Sequence, residues 1–493
     1  MSSGIFSALS GLAGLTRKLE TTANNVANVN TPGFKSSRAT LTGGGTQPVA
    51  TAAGTANVGR GTTLGAVDPN FAQGTFESSE NPTDLAIGGQ GFFMLRAPGS
   101  ATADHFTRAG GFSFDQMGNL VNGAGYFVQG WEVDGATGER QGSIGDINLG
   151  KTTPPVATGG VEMIVNLDAR LPADESGLRL FDAWDGRQVV GVDPEPAIAV
   201  GNYDYTGVAK VYDAKGASQD VTVYFKRTGN PDQWEFLVTT DPLADQRVMD
   251  AEQQAANPPF ERYSATDHKG AGALMYGVVD FNRSGQLRAI TAYEVPPDGN
   301  VDPEAGANRQ VLDPGDRYYR FALNTGGAEA NQEIALNLGA AYSGQGDVFE
   351  PEAMASTQYA TSSATIFQAQ DGYAAGFLQS IRVDTAGVIS GHYSNGQVLR
   401  RAQVGLANFA NPAGLTMEGN GLYGATTESG VATTGAPGSA GLGTIAPNAL
   451  EQSNVELATE LPSLMLTKRY FQANLKVVAA EDEMLGNLLD IKK

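Results

Sequence analysis

The chain contains no cysteine, which excludes disulfides, thiolate nucleophiles and cysteine-held metals. It has three histidines, His105, His268 and His392, and no two are spaced as ligands on one helical turn or one hairpin. No apolar run reaches the ~18 residues that a membrane-spanning helix needs. The features of a cleavable secretory signal are missing as well, because Gly4, Ser7, Ser10, Gly11 and Gly14 interrupt the first apolar positions and no basic stretch precedes them. Charge is scarce: 17% of residues are charged, against ~25% in ordinary globular chains. Basic charge is the scarcer sign, with 32 Lys and Arg against 53 Asp and Glu and a net charge of -21. Nucleic acid is held by clustered Lys and Arg, and the long middle of the chain has no such cluster, so it is not expected as a partner.

Catalytic motifs are also absent. There is no P-loop, nucleophile elbow or HExxH sequence. The glycine clusters GGQGFF and GAGYFVQG do not open a helix after a strand, so they read as strand turns and not as phosphate cradles. Acid–base work by two carboxylates needs one of them in a pocket that raises its pKa. Asp193 and Glu195 instead share a Pro-containing loop. No catalytic, cofactor-binding or metal-binding residue is therefore nominated, and the chain is not expected to be an enzyme.

What is present is 64 glycines in 493 residues, with 41% hydrophobic residues. That length suggests about three domains, and the composition suits short strands joined by tight turns. Residues 76–153 carry short apolar runs at roughly ten-residue spacing with Gly between them, the signature of an all-β unit. Residues 352–452 show the same habit, and the two blocks are expected to form one discontinuous β domain. Residues 154–351 read as a second all-β domain inserted into the first. Residues 35–75, rich in Gly, Thr and Ala and with little apolar periodicity, read as a linker that orders on assembly. An apolar residue, then Asp or Asn, then Gly three positions on, recurs at Asp115, Asn282 and Asp384, with a related version at Asp213. The spacing predicts hairpin turns with the carboxylate or amide bonding the backbone ahead and Gly at positive φ.

Both ends are patterned as helices. Ile5, Leu9, Leu12, Thr16, Leu19, Ala23 and Val26 step by four and three, which lays one stripe along a helix. From Leu457, the positions Leu461, Leu464, Lys468, Phe471, Leu475, Val478, Asp482, Leu485 and Leu489 do the same. The two seams, residues 1–34 and 453–493, are expected to pair as a coiled-coil-like helical assembly domain. Its core surface would be Ile5, Leu9, Leu12, Leu19 and Val26 with Leu464, Phe471, Leu475, Val478 and Leu485. Asn24, Asn25, Asn28, Thr31, Gly33 and Phe34 follow the first seam with helix-ending and turn chemistry. Pro462 raises the expectation of a late start or a kink in the second helix.

The stretch ANNVANVNTPGFK after an amphipathic start resembles the signature of the bacterial flagellar axial family, the rod and hook group. DLAIGGQGFF, FTRAGGFSFDQMGNLV, AKVYDAKGASQDVTVYF, GLANFANPAGLTMEGNGLY and ALEQSNVELATEL are most similar to its hook members. The resemblance is dense over residues 1–150 and 360–493. It implies a mostly β fold with α-helical termini, and a structural subunit that assembles with itself into a curved, flexible tube. It further implies contacts with the distal rod, hook cap and hook–filament junction proteins, and export without a cleaved signal through the flagellar type III apparatus. A distal rod subunit is the alternative within the family, although rod members are usually shorter and lack a large insert. A secreted adhesin-like β protein with axial-type ends is the alternative outside it.

Overall fold

In the computed structural model, the residues described are 2–51, 54–135, 137–174, 176–256, 261–303, 308–312, 316–344 and 348–490. The fold is mostly β with a long helix at each end, Ser2–Ala27 and Leu457–Asp490. It divides into two compact units, residues 1–151 with 377–493, and residues 152–376.

The first unit is closed by the second half of the chain returning strand by strand alongside the first. Phe127–Val133 pairs with Val398–Val404, and Phe92–Arg96 with Leu406–Asn408. His105–Thr107 pairs with Leu422–Gly424, Leu85–Gly88 with Thr444–Pro447, and Phe76–Ser78 with Ala449–Glu451. All five pairings are antiparallel. Leu85, Ile87, Phe93, Leu95 and Val128 from the outgoing chain and Ile389, Val404, Leu406 and Ile445 from the returning chain fill one core. Each such side chain contributes ~1.5–3 kcal/mol when fully buried, so neither half can hide its apolar face without the other.

The second unit holds a five-stranded antiparallel meander from Tyr205–Tyr212 to Leu287–Glu294 and a four-stranded sheet. In the smaller sheet Gly160–Asn166 lies between a parallel neighbour, Gln332–Asn337, and an antiparallel one, Ala364–Gln370. Val161, Met163 and Val165 of the smaller sheet share a core with Val221, Val223, Trp234 and Phe236 of the meander. Leu180, Phe181 and Trp184 cover the other face of the meander with Tyr276 and Tyr293. A short helix spans Ala251–Ala256.

Two expectations are corrected. The insert ends at residue 376 and not 351, because Ala364–Gln370 is the edge strand of the insert's own sheet. Residues 35–75 are not an unstructured linker: Ser37–Gly43 pairs with Thr62–Pro69, and Thr46–Thr51 with Gly54–Gly59, as antiparallel ribbons. The inner ribbon lies on the N-terminal helix, where Leu41 comes within 3.0 Å of the place a side chain at Gly14 would occupy. The C-terminal helix starts at Leu457 and continues through Pro462. A proline so near the start removes one early backbone hydrogen bond and leaves the rest of the helix intact.

Candidate assembly surface

The two terminal helices run antiparallel and meet along a seam that can be followed residue by residue. A Cβ at Gly4 would overlap the Glu481 carboxylate, and a Cβ at Gly11 would lie 3.4 Å from Asn474 Oδ1. Asn25 Nδ2 donates to Glu460 Oε1 at 3.1 Å. Each step along one helix is matched by an equal step back along the other, in multiples of seven. That is the heptad repeat of a coiled coil. The same repeat places Thr467, 1% exposed, on this stripe. The alternate seam positions are Ala8, Leu15 and Thr22, all buried, and Leu464, Phe471 and Val478, all half-buried.

The expected surface is therefore divided. Leu464, Phe471 and Val478 lie on the seam, while Ile5, Leu12, Leu19 and Val26 flank it, half-buried. Leu9 and Leu475 face solvent, 55% and 46% exposed, so these two do not join the helices of one chain. The Leu485 side chain lies outside the described residues. The apolar period alone placed the C-terminal seam one residue away at alternate positions. Glu460, Thr467, Asn474 and Glu481 occupy the positions assigned to Leu461, Lys468, Leu475 and Asp482. A further stripe, Tyr470, Val477 and Met484, steps by seven on the exposed surface. Its regular spacing was visible in the sequence and was missed because the neighbouring leucines gave the stronger period.

The motif that follows the N-terminal helix ties both chain ends to the β body. Asn28 Nδ2 donates to the Asn24 carbonyl at 2.9 Å, and Thr31 Oγ1 donates to Asn28 Oδ1 at 3.1 Å, closing the helix end. Gly33 turns at φ 72°, and its N–H donates to the Glu451 carbonyl at 2.7 Å. A Cβ there would lie 2.5 Å from the Ala109 nitrogen, so both conformation and space require glycine. Asn25 clamps Ser37, accepting from its N–H at 2.9 Å and donating to its carbonyl at 2.8 Å. The Phe34 carbonyl accepts from the Asn454 N–H, and Asn454 Oδ1 accepts from the Ser36 N–H at 2.8 Å.

Beneath this knot lies a buried ionic cluster. Lys35 Nζ donates to Glu451 Oε1 at 2.6 Å and to the Ala72 carbonyl at 2.8 Å. Glu451 also accepts from the Gly74 N–H at 2.9 Å and lies 3.4 Å from Arg108. Burial lowers the pKa of Lys35, and its bond to Glu451 opposes that shift. Burial likewise pushes the nearby Tyr423 phenol up to about 12.

Four family models match successive stretches of the chain. Residues 5–35 match the family described as flagella basal body rod protein, and residues 86–161 the flagellar hook protein FlgE/F/G D1 domain. Residues 183–373 match the flagellar basal body protein FlaE D2 domain, and residues 446–491 the flagellar basal body rod FlgEFG protein C-terminal family. The flagellar hook protein FlgE of Treponema pallidum (strain Nichols) is 31% identical over the full length of both chains. That of Borreliella burgdorferi is 30% identical, again over both full lengths. The Escherichia coli (strain K12) protein is 27% identical over 98% of this chain and 99% of its own. With relatives 31% and 30% identical over their full lengths and four family models of the flagellar rod and hook group matched along it, the chain belongs to the flagellar hook protein FlgE family and is a structural subunit of the hook.

Proposed function

We propose that the subunit polymerises through the apolar residues its paired terminal helices leave exposed, forming a curved, flexible tube that passes torque from rod to filament. The observation that carries this reading is the surface of the helix pair. Phe6 is 67% exposed and Met465 57% exposed, and Leu9, Leu461, Leu475, Val477 and Met484 are exposed beside them. Apolar exposure repeated along two helices marks an interaction surface. A contact between different faces of identical copies, if it does not close into a ring, extends into a helical polymer. The distal rod, hook cap and junction proteins are the neighbours this role requires, and export through the flagellar apparatus brings the subunit to its site.

Electron microscopy of the purified full-length chain tests the reading. Curved tubes are the expected product. Straight tubes would favour the distal rod alternative, and a chain that stays monomeric when supplied with its cap would contradict assembly.

A further inference from the structure

The heptad positions at which the two helices meet are not filled by the most apolar residues available. Turning the C-terminal helix by about 50°, half the ~100° between successive residues, would bring Leu461 and Leu475 onto the seam while keeping Leu464, Phe471 and Val478 there. Apolar burial alone favours that alternative, yet Leu475 stands 46% exposed while Asn474 faces Gly11. Opposing the rotation are contacts that exist in one register only. Asn25 spends one amide N–H and its oxygen on the Ser37 backbone and its other N–H on Glu460, so Glu460 is anchored through Asn25 to the β body. Gly4 supplies the space that Glu481 fills, and Gly11 faces Asn474. The Glu481 carboxylate lies against Gly4, in the first turn of a helix that begins at Ser2, where the helix dipole favours negative charge. Polar residues in an otherwise apolar seam specify register at a cost in stability.

We infer that Gly4, Gly11 and Asn25, with Glu481, Asn474 and Glu460, set the register and rotation of the terminal helix pair. By doing so they decide which apolar side chains, Leu461 and Leu475 among them, are held out for a neighbouring copy. The six residues are specificity determinants of assembly and not its adhesive. The link to a neighbouring copy rests on the proposed polymerisation; the register itself does not.

The absence of cysteine gives a clean test, because an introduced pair is the only pair in the chain. Dilute full-length monomer carrying Gly11→Cys with Asn474→Cys is oxidised mildly beside monomer carrying Gly11→Cys with Leu475→Cys. Intrachain crosslinking is read by gel mobility and folding of the β body by circular dichroism. The first pair is expected to close several-fold faster than the second. Adding Glu460→Leu and Glu481→Leu to each should shrink that preference, the Leu475 pair gaining several-fold. Where the leucines disturb folding, Glu460→Gln and Glu481→Gln replace them, with a smaller change in the same direction. An unchanged preference in the well-folded variants would overturn the inference, since register would then be set elsewhere. Wild-type tubes from a variant whose register has loosened would overturn the link to assembly, while failure of the unmodified chain to polymerise would count against the proposed function and leave the crosslinking result standing.

Discussion

The Lys35 ammonium and the Glu451 carboxylate lie 2.6 Å apart, and neither side chain is exposed at all. Lys35 leaves the N-terminal helix and Glu451 leads into the C-terminal one, so this ion pair joins the two points at which the chain ends depart from the β body. A second cation, Arg108, shares the carboxylate and packs its guanidinium 5.3 Å from the centre of the Phe92 ring. Removing the anion strands two buried cations, whereas removing Lys35 leaves Glu451 with Arg108 and the Gly74 N–H. Breaking a buried pair by deleting one partner costs ~3–5 kcal/mol. Glu451→Ala is expected at or above the top of that range and Lys35→Met below it. Denaturant unfolding of the full chain, followed by tryptophan fluorescence and circular dichroism, gives the order, and equal losses would contradict the shared-carboxylate account.

Gly33 offers a sharper test of the knot. Its positive φ and the 2.5 Å approach of a Cβ to the Ala109 nitrogen act together, so Gly33→Ala should cost at least the ~1–3 kcal/mol of a residue held in a sparsely populated backbone region. Gly45→Ala, where a Cβ meets nothing within 4 Å, is the control and should be nearly neutral. The difference in thermal midpoint between the two variants measures the effect.

The second unit should be acid-sensitive in a defined window. The bond from Lys226 holds the Asp174 carboxyl well below the usual range, at about 2, with the Ser176 N–H and hydroxyl assisting. An unfolded Asp titrates near ~3.9, so the stabilisation is in place above that value and is lost as pH falls toward about 2. Arg170 does the same for Asp168. Thermal melts between pH 5 and pH 2 should show the decline, and Asp174→Asn should flatten part of it. An unaltered slope would show that the ion pair contributes little in solution.

Excision of the inserted unit is also predicted to be tolerated. The Leu378 N–H donates to the Lys151 carbonyl at 2.9 Å, so the two ends left by removing residues 152–376 are already side by side. The joined chain should keep its strand pairing and its helix pair, shown by cooperative melting and by the Gly11→Cys with Asn474→Cys crosslink. Loss of cooperativity would mean that the first unit depends on the second.

Much of this architecture was legible in the residues. The recurring turn pattern is a good instance: Asp115 accepts from the Met117 and Asn119 N–H groups, and Asp384 from those of Ala386 and Val388. Asn282 and Asp213 repeat the arrangement, and Gly118, Gly216, Gly285 and Gly387 all sit at positive φ. Such turns are local, so their chemistry is complete in a few adjacent letters. The inner ribbon was not legible, because Ser37–Gly43 offers only Ala39 and Leu41 as an apolar alternation amid small and polar residues, and gains order from its partner strand and from the N-terminal helix. The rotation of the C-terminal helix was misread for a related reason. Periodicity reports where apolar side chains lie, and here the strongest apolar stripe is partly turned away from the intrachain partner. Between Leu464, Phe471 and Val478 the positions facing that partner are the polar Glu460, Thr467, Asn474 and Glu481, and the contacts of Glu460, Asn474 and Glu481 lie with Asn25, Gly11 and Gly4, more than four hundred residues away.

In the proposed function, apolar residues left exposed on the helix pair drive assembly without holding the monomer together. Sedimentation and electron microscopy of Leu475→Asp beside the unmodified chain test it most directly. Leu475 is half in solvent within one chain, so an added charge should leave the β body's melting and the Gly11→Cys with Asn474→Cys crosslink unchanged, while desolvating that charge against a neighbour blocks tube formation. Normal tubes from Leu475→Asp, or loss of the monomer fold, would contradict the account.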